Sequence, residues 1–346
     1  MHLHTCQPGY EAALVDEFDG LGIRVASNGP GWVLTEGDSL PAELVFRHRT
    51  LVDAVEIAGG SVNALAGGLA DWFLESCRNE RFEGPWPLVM DAAGDEKGLR
   101  RRATSVGRQL LSLIRRKTSR VARLAIEGSG TAGGRGLHAF FIDFDRIRAA
   151  REVIAGGQRR MADDPDAPSR SYLKVEEAYG ILGESPQTEQ VVVDLGAAPG
   201  GWSFSAAQRG ARVIAVDNGP LKAGAADHPR ITHRREDAFG FEVNGDPVDW
   251  LFCDLVEDPY HVLEDILERW VKQRWCRAFV VNLKCGRTDV SHLLARLKAP
   301  TGILAEGCET LRVRHLFHDR DEITLVGRVK DGGKKEEHEE RKKVGS

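Results

Sequence analysis

The chain has 346 residues, 42% of them hydrophobic, and a formal net charge of −5. That is enough apolar material for two cores, and the mild acidity excludes a protein that coats nucleic acid with its whole surface. Six scattered cysteines without a C-x-x-C pair suit neither a zinc site nor a disulfide framework, and no leader or eighteen-residue apolar run is present. A metal-free, non-membrane protein of the reducing cytoplasm, working as a monomer, is therefore expected.

The first fifty residues alternate short apolar runs (His2-Leu3-His4, Gly31-Trp32-Val33-Leu34, Ala42 to Phe46) with turn signals such as Asn28-Gly29-Pro30-Gly31, which predicts a small α+β unit. Helices are expected near 62–77 and 99–120, and a strand over 136–144. Between Arg100 and Arg123 the chain carries nine basic residues and no acid, interrupted by Leu110, Leu111, Leu113, Ile114 and Val121 at helical spacing. A helix that buries its leucines and presents Arg115, Arg116, Lys117 and Arg120 offers a phosphate footprint for RNA or DNA, although a charge run also suits a merely solvated face.

Glycines, Asp163-Asp164-Pro165-Asp166 and Pro168 mark a linker over 156–168, which divides the chain into an N-terminal α+β region (1–155) and a second domain (169–330). Beyond the linker, strands near 191–195, 212–217, 230–235, 248–254 and 278–284 alternate with helices near 201–209, 260–274 and 288–298, the mark of an α/β, Rossmann-like parallel sheet. Two last strands, near 309–317 and 322–329, read as a hairpin at the sheet edge. Residues 331–346 mix lysine, glutamate and glycine without apolar anchors and read as a disordered charged tail.

The most informative segment is Val191-Val192-Val193-Asp194-Leu195-Gly196-Ala197-Ala198-Pro199-Gly200-Gly201-Trp202, a buried strand followed by a glycine turn and a helix start. Gly196, Gly200 and Gly201 allow positive φ or close backbone approach, and Asp217 ends the next strand where a nucleotide fold places the carboxylate that grips a ribose diol. A dinucleotide turn reads G-x-G-x-x-G and holds a pyrophosphate, but here the order is G-x-x-x-G-G and the Ala198 methyl would crowd that group. S-adenosylmethionine carries no phosphate, so it is the expected cofactor. Trp202 suits either packing on the cofactor or filling the helix–sheet interface.

Ligands of open α/β sheets lie beyond the carboxyl ends of the strands. Asp254 and Lys284 close two strands, Glu322 opens the last, and Lys174 lies ahead of a helix whose Glu176 and Glu177 suit its first turn. Together, in this chain order and beside the D-x-G-x-x-P-G-G turn, Lys174, Asp254, Lys284 and Glu322 resemble the Lys-Asp-Lys-Glu set of FtsJ-like 2′-O-ribose methyltransferases. Segments 169–178, 217–220, 253–259, 275–277 and 282–284 are similar to one branch, the bacterial large-subunit rRNA methyltransferase M family, and the resemblance is strong from about Leu137 to Arg328.

The resemblance implies methylation of a cytidine 2′-hydroxyl in 23S rRNA by a Rossmann-like class I methyltransferase domain, preceded by an N-terminal THUMP-type, ferredoxin-like RNA-binding half. It implies that Ser171, Ala198, Pro199, Gly200, Gly201, Asp217, Asp237 and Asp254 hold the cofactor, joined by Asp194 and Gly196 of the turn, and that Lys284 accepts the proton. A lysine with a reference pKa of about 10.4 must be tuned downward to do so. Lys174 and burial push that way, while Asp254 and Glu322 oppose it.

An amino-nitrogen enzyme would need Asn-Pro-Pro-Tyr where this chain has Asp254-Leu255-Val256-Glu257, and a cytosine-C5 enzyme would need a Pro-Cys or Thr-Cys nucleophile, which Cys253 and Cys285 are not. They read as a packed strand residue and a loop thiol. His228, His233, His315 and His318 lack metal-ligand spacing. The competing readings are an RNA-binding protein with a silent methyltransferase fold, a 2′-O-methyltransferase for another RNA, and a dehydrogenase.

Overall fold

The computed structural model describes residues 1–94, 97–128, 133–286 and 288–331, so the expected tail beyond Asp331 lies outside the described residues. The chain divides into two compact units, one of Met1–Arg160 with Arg314–Phe317, the other of Met161–Val313 with the chain from His318 on.

The first unit contains β1 (His2–Thr5), α1 (Glu11–Gly20), β2 (Val25–Gly29), β3 (Trp32–Thr35), β4 (Arg49–Val52), β5 (Val55–Ala58), α2 (Val62–Ser76), β6 (Trp86–Ala92), α3 (Lys97–Lys117), α4 (Ser119–Arg123), β7 (Ala125–Glu127), β8 (Gly134–Phe141) and β9 (Arg146–Ala155). Among the described residues these strands form one nine-stranded sheet, β2-β3-β1-β4-β9-β8-β6-β7, with β5 also paired to β9. Ser61 caps α2 by accepting the Ala64 N–H at 3.1 Å. The helix buries Leu65, Leu69 and Phe73 at the i, i+4, i+8 spacing of one face. In α3, Leu99, Ala103, Val106, Leu110 and Ile114 are buried in the same core, with the leucines and isoleucine contributing about 2 kcal/mol each.

Two segments are fixed by partners far along the chain. The apolar run Leu44-Val45-Phe46 is buried but is not a strand, because the Glu17 carboxylate takes the N–H groups of Val45 and Phe46 at 2.9 to 3.1 Å and so replaces a ladder. Gly156 and Gln158, inside the expected linker, belong to the first unit: the Gly156 N–H donates to His48 O at 2.8 Å, and the Gln158 amide donates to Arg47 O at 3.2 Å.

The second unit contains α5 (Tyr172–Leu182), β10 (Val191–Leu195), α6 (Gly201–Gln208), β11 (Arg212–Val216), α7 (Ala223–Ala226), β12 (Ile231–Arg234), β13 (Val248–Cys253), α8 (Pro259–His261), a π-helical stretch (Val262–Glu268), α9 (Arg269–Gln273), β14 (Cys276–Lys284), α10 (Val290–Leu297), α11 (Ile303–Gly307), β15 (Cys308–Arg314) and β16 (Glu322–Val329). Its sheet runs β12-β11-β10-β13-β14-β16-β15, a Rossmann-like order. The first five strands in that row are parallel, and β16 is antiparallel to β14.

The chain goes from β10 out to β11 and β12, then crosses to β13 on the other flank, so the switch point lies between β10 and β13. The last two strands lie side by side at one end of the sheet, as expected of a hairpin, with β15 at the edge and β16 between it and β14. This burial suits its apolar run Ile323-Thr324-Leu325-Val326, which is solvent-free on both faces.

Glu176 and Glu177 fall past the first turn of α5 and do not act on its N-terminus. Glu176 grips both terminal nitrogens of Arg209 at 2.6 and 2.5 Å, and Glu177 accepts the His318 N–H at 3.2 Å. Among the described residues no helix is long and apolar enough to cross a membrane.

Candidate active site

Lys284 is the last residue of β14 and Asp254 directly follows the parallel neighbour β13, so both stand at the carboxyl edge of the sheet. Because β16 runs antiparallel to β14, its first residue, Glu322, is at that same edge and is the Cα partner of Lys284. Helix α5 packs on β16 and carries Lys174 in its first turn. The four charged residues proposed from sequence therefore come together.

Lys284 Nζ donates to Asp254 Oδ1 and Glu322 Oε2, each at 2.5 Å, and to Asn282 Oδ1 at 2.9 Å. Lys174 Nζ is ion-paired with Glu322 Oε1 and lies 3.8 Å from Asp254 Oδ1. Side-chain exposure is 12% for Lys174, 15% for Asp254, 21% for Lys284 and 8% for Glu322, enough to reduce screening while leaving an approach for a hydroxyl group.

Three acceptors occupy all three N–H bonds of the Lys284 ammonium. Burial works against that charge, but the carboxylates of Asp254 and Glu322 outweigh it and hold the pKa above the ordinary lysine value. The downward tuning required of a resting base is absent here. Burial likewise opposes the charge on Glu322, and Lys174 and Lys284 overcome it, holding the carboxyl below its usual range.

Asn282 was not singled out from sequence. It is fully buried, accepts from Lys284, and donates from Nδ2 to Thr324 Oγ1 at 3.1 Å and Asp319 Oδ1 at 3.3 Å. Its signals were its place in the similar segment 282–284, where no role fell to it, and a lone amide inside the apolar run Phe279-Val280-Val281-Asn282-Leu283. A buried polar side chain there needs partners, and one of them turns out to be the lysine.

The glycine turn lies at the switch point. Gly196 and Gly200 adopt φ of 77° and 109°, which favours glycine, and Gly201 starts α6. At Gly201 the close neighbour is the protein itself, since a Cβ would stand 2.6 Å from Ser171 Oγ. Asp217 fastens the turn, accepting the Ala198 N–H at 3.0 Å and the Gly219 N–H at 2.6 Å, and its carboxylate keeps lone pairs for a diol.

Asp194 is buried; its Oδ2 accepts from Ser203 Oγ at 2.6 Å, while Oδ1 has no partner among the described residues. Burial pushes its pKa up to about 7. An orphaned buried acceptor beside a glycine cradle fits a ligand bearing an ammonium group and a ribose diol, as S-adenosylmethionine does. Asp237 is exposed, with Oδ1 accepting the Phe239 N–H at 3.2 Å. Trp202 lies in the helix–sheet interface, edge-on to Phe252 at 5.9 Å, and its Nε1 donates to Ser171 O at 2.9 Å. It orients Ser171 from behind.

Cys285 sits in the loop directly after β14 but is buried, and burial pushes it and Cys253 up to about 12, which suits neither for nucleophilic attack. His233 Nε2 meets Asp217 O at 2.9 Å, and His315 is fully buried. In the first unit, Arg115, Arg116, Lys117 and Arg120 are exposed at the end of α3 and the start of α4, and Lys117 is bonded to Asp71 at 2.6 Å.

Residues 167–289 match the FtsJ-like methyltransferase family model. The chain is 38% identical over 346 residues to the ribosomal RNA large subunit methyltransferase M of Halorhodospira halophila, covering 93% of this chain and 95% of that protein. It is 31% identical over 361 residues to the protein of the same name from Chromohalobacter salexigens, covering 92% and 95%. With the one from Laribacter hongkongensis it shares 43% identity over 180 residues, about half of each chain.

Proposed function

The chain belongs to the ribosomal RNA large subunit methyltransferase M family, and from that premise we propose that it methylates the 2′-hydroxyl of a cytidine ribose in large-subunit (23S) rRNA, using S-adenosylmethionine. The observation that carries this reading is the convergence of Lys174, Asp254, Lys284 and Glu322 beyond the strand ends, within the unit that also holds the glycine cradle. Gly196, Ala198, Pro199 and Gly200 form the floor, Asp217 takes the ribose hydroxyls, Asp194 Oδ1 takes an ammonium, and Asp237 and Ser171 border the site. A silent RNA-binding protein is the weaker reading, because all four charged residues are present and paired.

When bound, S-adenosylmethionine supplies a methyl group already activated by its sulfonium. The protein must hold the attacking oxygen in line and take its proton. With its three N–H bonds occupied, Lys284 has no lone pair to offer until one proton leaves. With that proton lost to solvent, two N–H bonds stay on two of the acceptors and keep the amine aimed, and the incoming hydroxyl donates to the lone pair freed at the third position. Lys174 binds Glu322 from the other side and keeps that carboxylate from folding away. The first unit, with its basic helix end, supplies the RNA contact.

The experiment is methyl transfer to 23S rRNA with mapping of 2′-O-methyl marks, for the wild-type protein and Lys284→Ala. The expected result is a mark that the variant loses while calorimetry shows S-adenosylhomocysteine still bound. Transfer that survives in the variant would overturn the role of Lys284, and a mark on a base nitrogen or carbon would overturn the reaction.

A further inference from the structure

The first unit holds a cavity of about 400 Å³, and none of the residues lining it belongs to the methyl-transfer site. Small-ligand sites span roughly 300 to 1,000 Å³, so the space suits a single nucleotide. Its deep wall is built from paired groups. Arg49 on β4 is 6% exposed and forms an ion pair with Asp91 on β6. Gln158, 3% exposed, is fixed by donating from Nε2 to Arg47 O at 3.2 Å and His315 O at 3.3 Å. Its Oε1 is buried and has no partner among the described residues.

A buried amide oxygen without a donor carries a desolvation penalty that a ligand N–H would relieve. Glycine at 156 lets that oxygen keep its place, since a Cβ there would stand 2.4 Å from it. The mouth has a different character. Arg100 and Arg160 are exposed guanidiniums, and Phe317 is 39% exposed with its ring 6.3 Å from that of His48. Three arginines face one carboxylate among the lining groups, and His48 adds no charge at neutral pH because burial pushes it down to about 3.

We propose that this cavity receives one unpaired nucleotide of an RNA strand, with its phosphate against Arg100 and Arg160, its base on Phe317, and a base N–H turned to Gln158 Oε1. A cationic rim with an exposed aromatic ring suits single-stranded nucleic acid, because stacking needs a base released from its duplex. The proposal rests on the RNA-methyltransferase reading but on residues of the first unit alone.

The test uses the full chain and fluorescence anisotropy with a labelled single-stranded RNA and its duplex, comparing wild type, Phe317→Ala and Arg100→Gln/Arg160→Gln. All three positions are exposed, and S-adenosylhomocysteine calorimetry checks that the fold is kept. Single-strand affinity should fall about tenfold or more in both variants while duplex affinity changes less than twofold, and CMP or AMP at millimolar concentration should compete with the single strand. Equal single-strand binding by variants and wild type would overturn the proposal. Mononucleotide binding that leaves RNA affinity untouched would assign the cavity to a free nucleotide and overturn the RNA source. Variants that bind RNA normally and still methylate would sink only the cavity's role, whereas a wild-type protein that never methylates rRNA would sink the parent reading.

Discussion

Lys284 and Glu322 are direct cross-strand partners, the last residue of β14 facing the first residue of β16, and their side chains meet at 2.5 Å. The pair sets the protonation of the site. With Asp254 it overrides the burial that would otherwise favour a neutral amine, so the neutral form is scarce at pH 7.

Methyl transfer limited by neutral Lys284 should therefore accelerate with pH, by about tenfold per unit well below the lysine's pKa. Glu322→Gln removes one of the two opposing carboxylates and should shift the kcat/KM profile toward acid, even if the maximal rate falls. Initial rates from pH 6.5 to 9.5 are the measurement. A flat profile in the wild type, or an unshifted one in the variant, would contradict the assignment.

Asn282 acts through Lys284 as a positioning residue. Asn282→Ala should lower kcat by about 10- to 100-fold, leave KM for S-adenosylmethionine within about twofold, and move the pH profile toward acid, because a dipole that supports the ammonium is gone. Its structural cost is about 1 to 3 kcal/mol, because Thr324 and Asp319 are left without their amide partner. A variant that merely melts earlier, with an unmoved profile and rate, would show Asn282 to be structural only.

Asp194 makes stability depend on pH in an unusual direction. Burial raises its folded pKa to about 7, so between the unfolded carboxylate value and 7 the native state holds a proton that the unfolded chain has lost. Stability should fall as pH rises through that window, by up to about 4 kcal/mol. Asp194→Asn should flatten this slope in urea melts at pH 5 and pH 8 and weaken S-adenosylmethionine binding. An identical slope in both proteins would rule the carboxylate out as its source.

On the basic helix end the four candidates should not be equal. Lys117 already binds Asp71, while Arg115, Arg116 and Arg120 form no ion pair among the described residues. Neutralising the three arginines should weaken RNA binding and reduce the salt slope by about 0.7 to 0.9 for each phosphate no longer neutralised, and Lys117→Gln should do less. Filter binding between 50 and 200 mM salt would show it, and four equal effects would count against the distinction.

Much of the second unit could be read locally. The strand Val191–Leu195, the glycine turn and Asp217 announce themselves by periodicity and by residue types that few other conformations tolerate. The burial of Leu44-Val45-Phe46 without a strand and the capture of Gln158 by the first unit were not readable, because each depends on a partner tens of residues away.

The site itself divides the same way. Asp254, Lys284 and Glu322 stand out as charged groups at strand ends, and residue identity and chain order joined Lys174 to them through the resemblance to the Lys-Asp-Lys-Glu set. Their meeting was decided by the insertion of β16 between β14 and β15, which turns the start of a late strand toward the ends of two earlier ones. The same two strands placed with β15 against β14 would have kept the same periodicity and held Glu322 a strand away from Lys284. Alternation along a strand encodes which face is buried, but the neighbour it pairs with is chosen by the free energy of the assembled sheet, and only folding in three dimensions settles that choice.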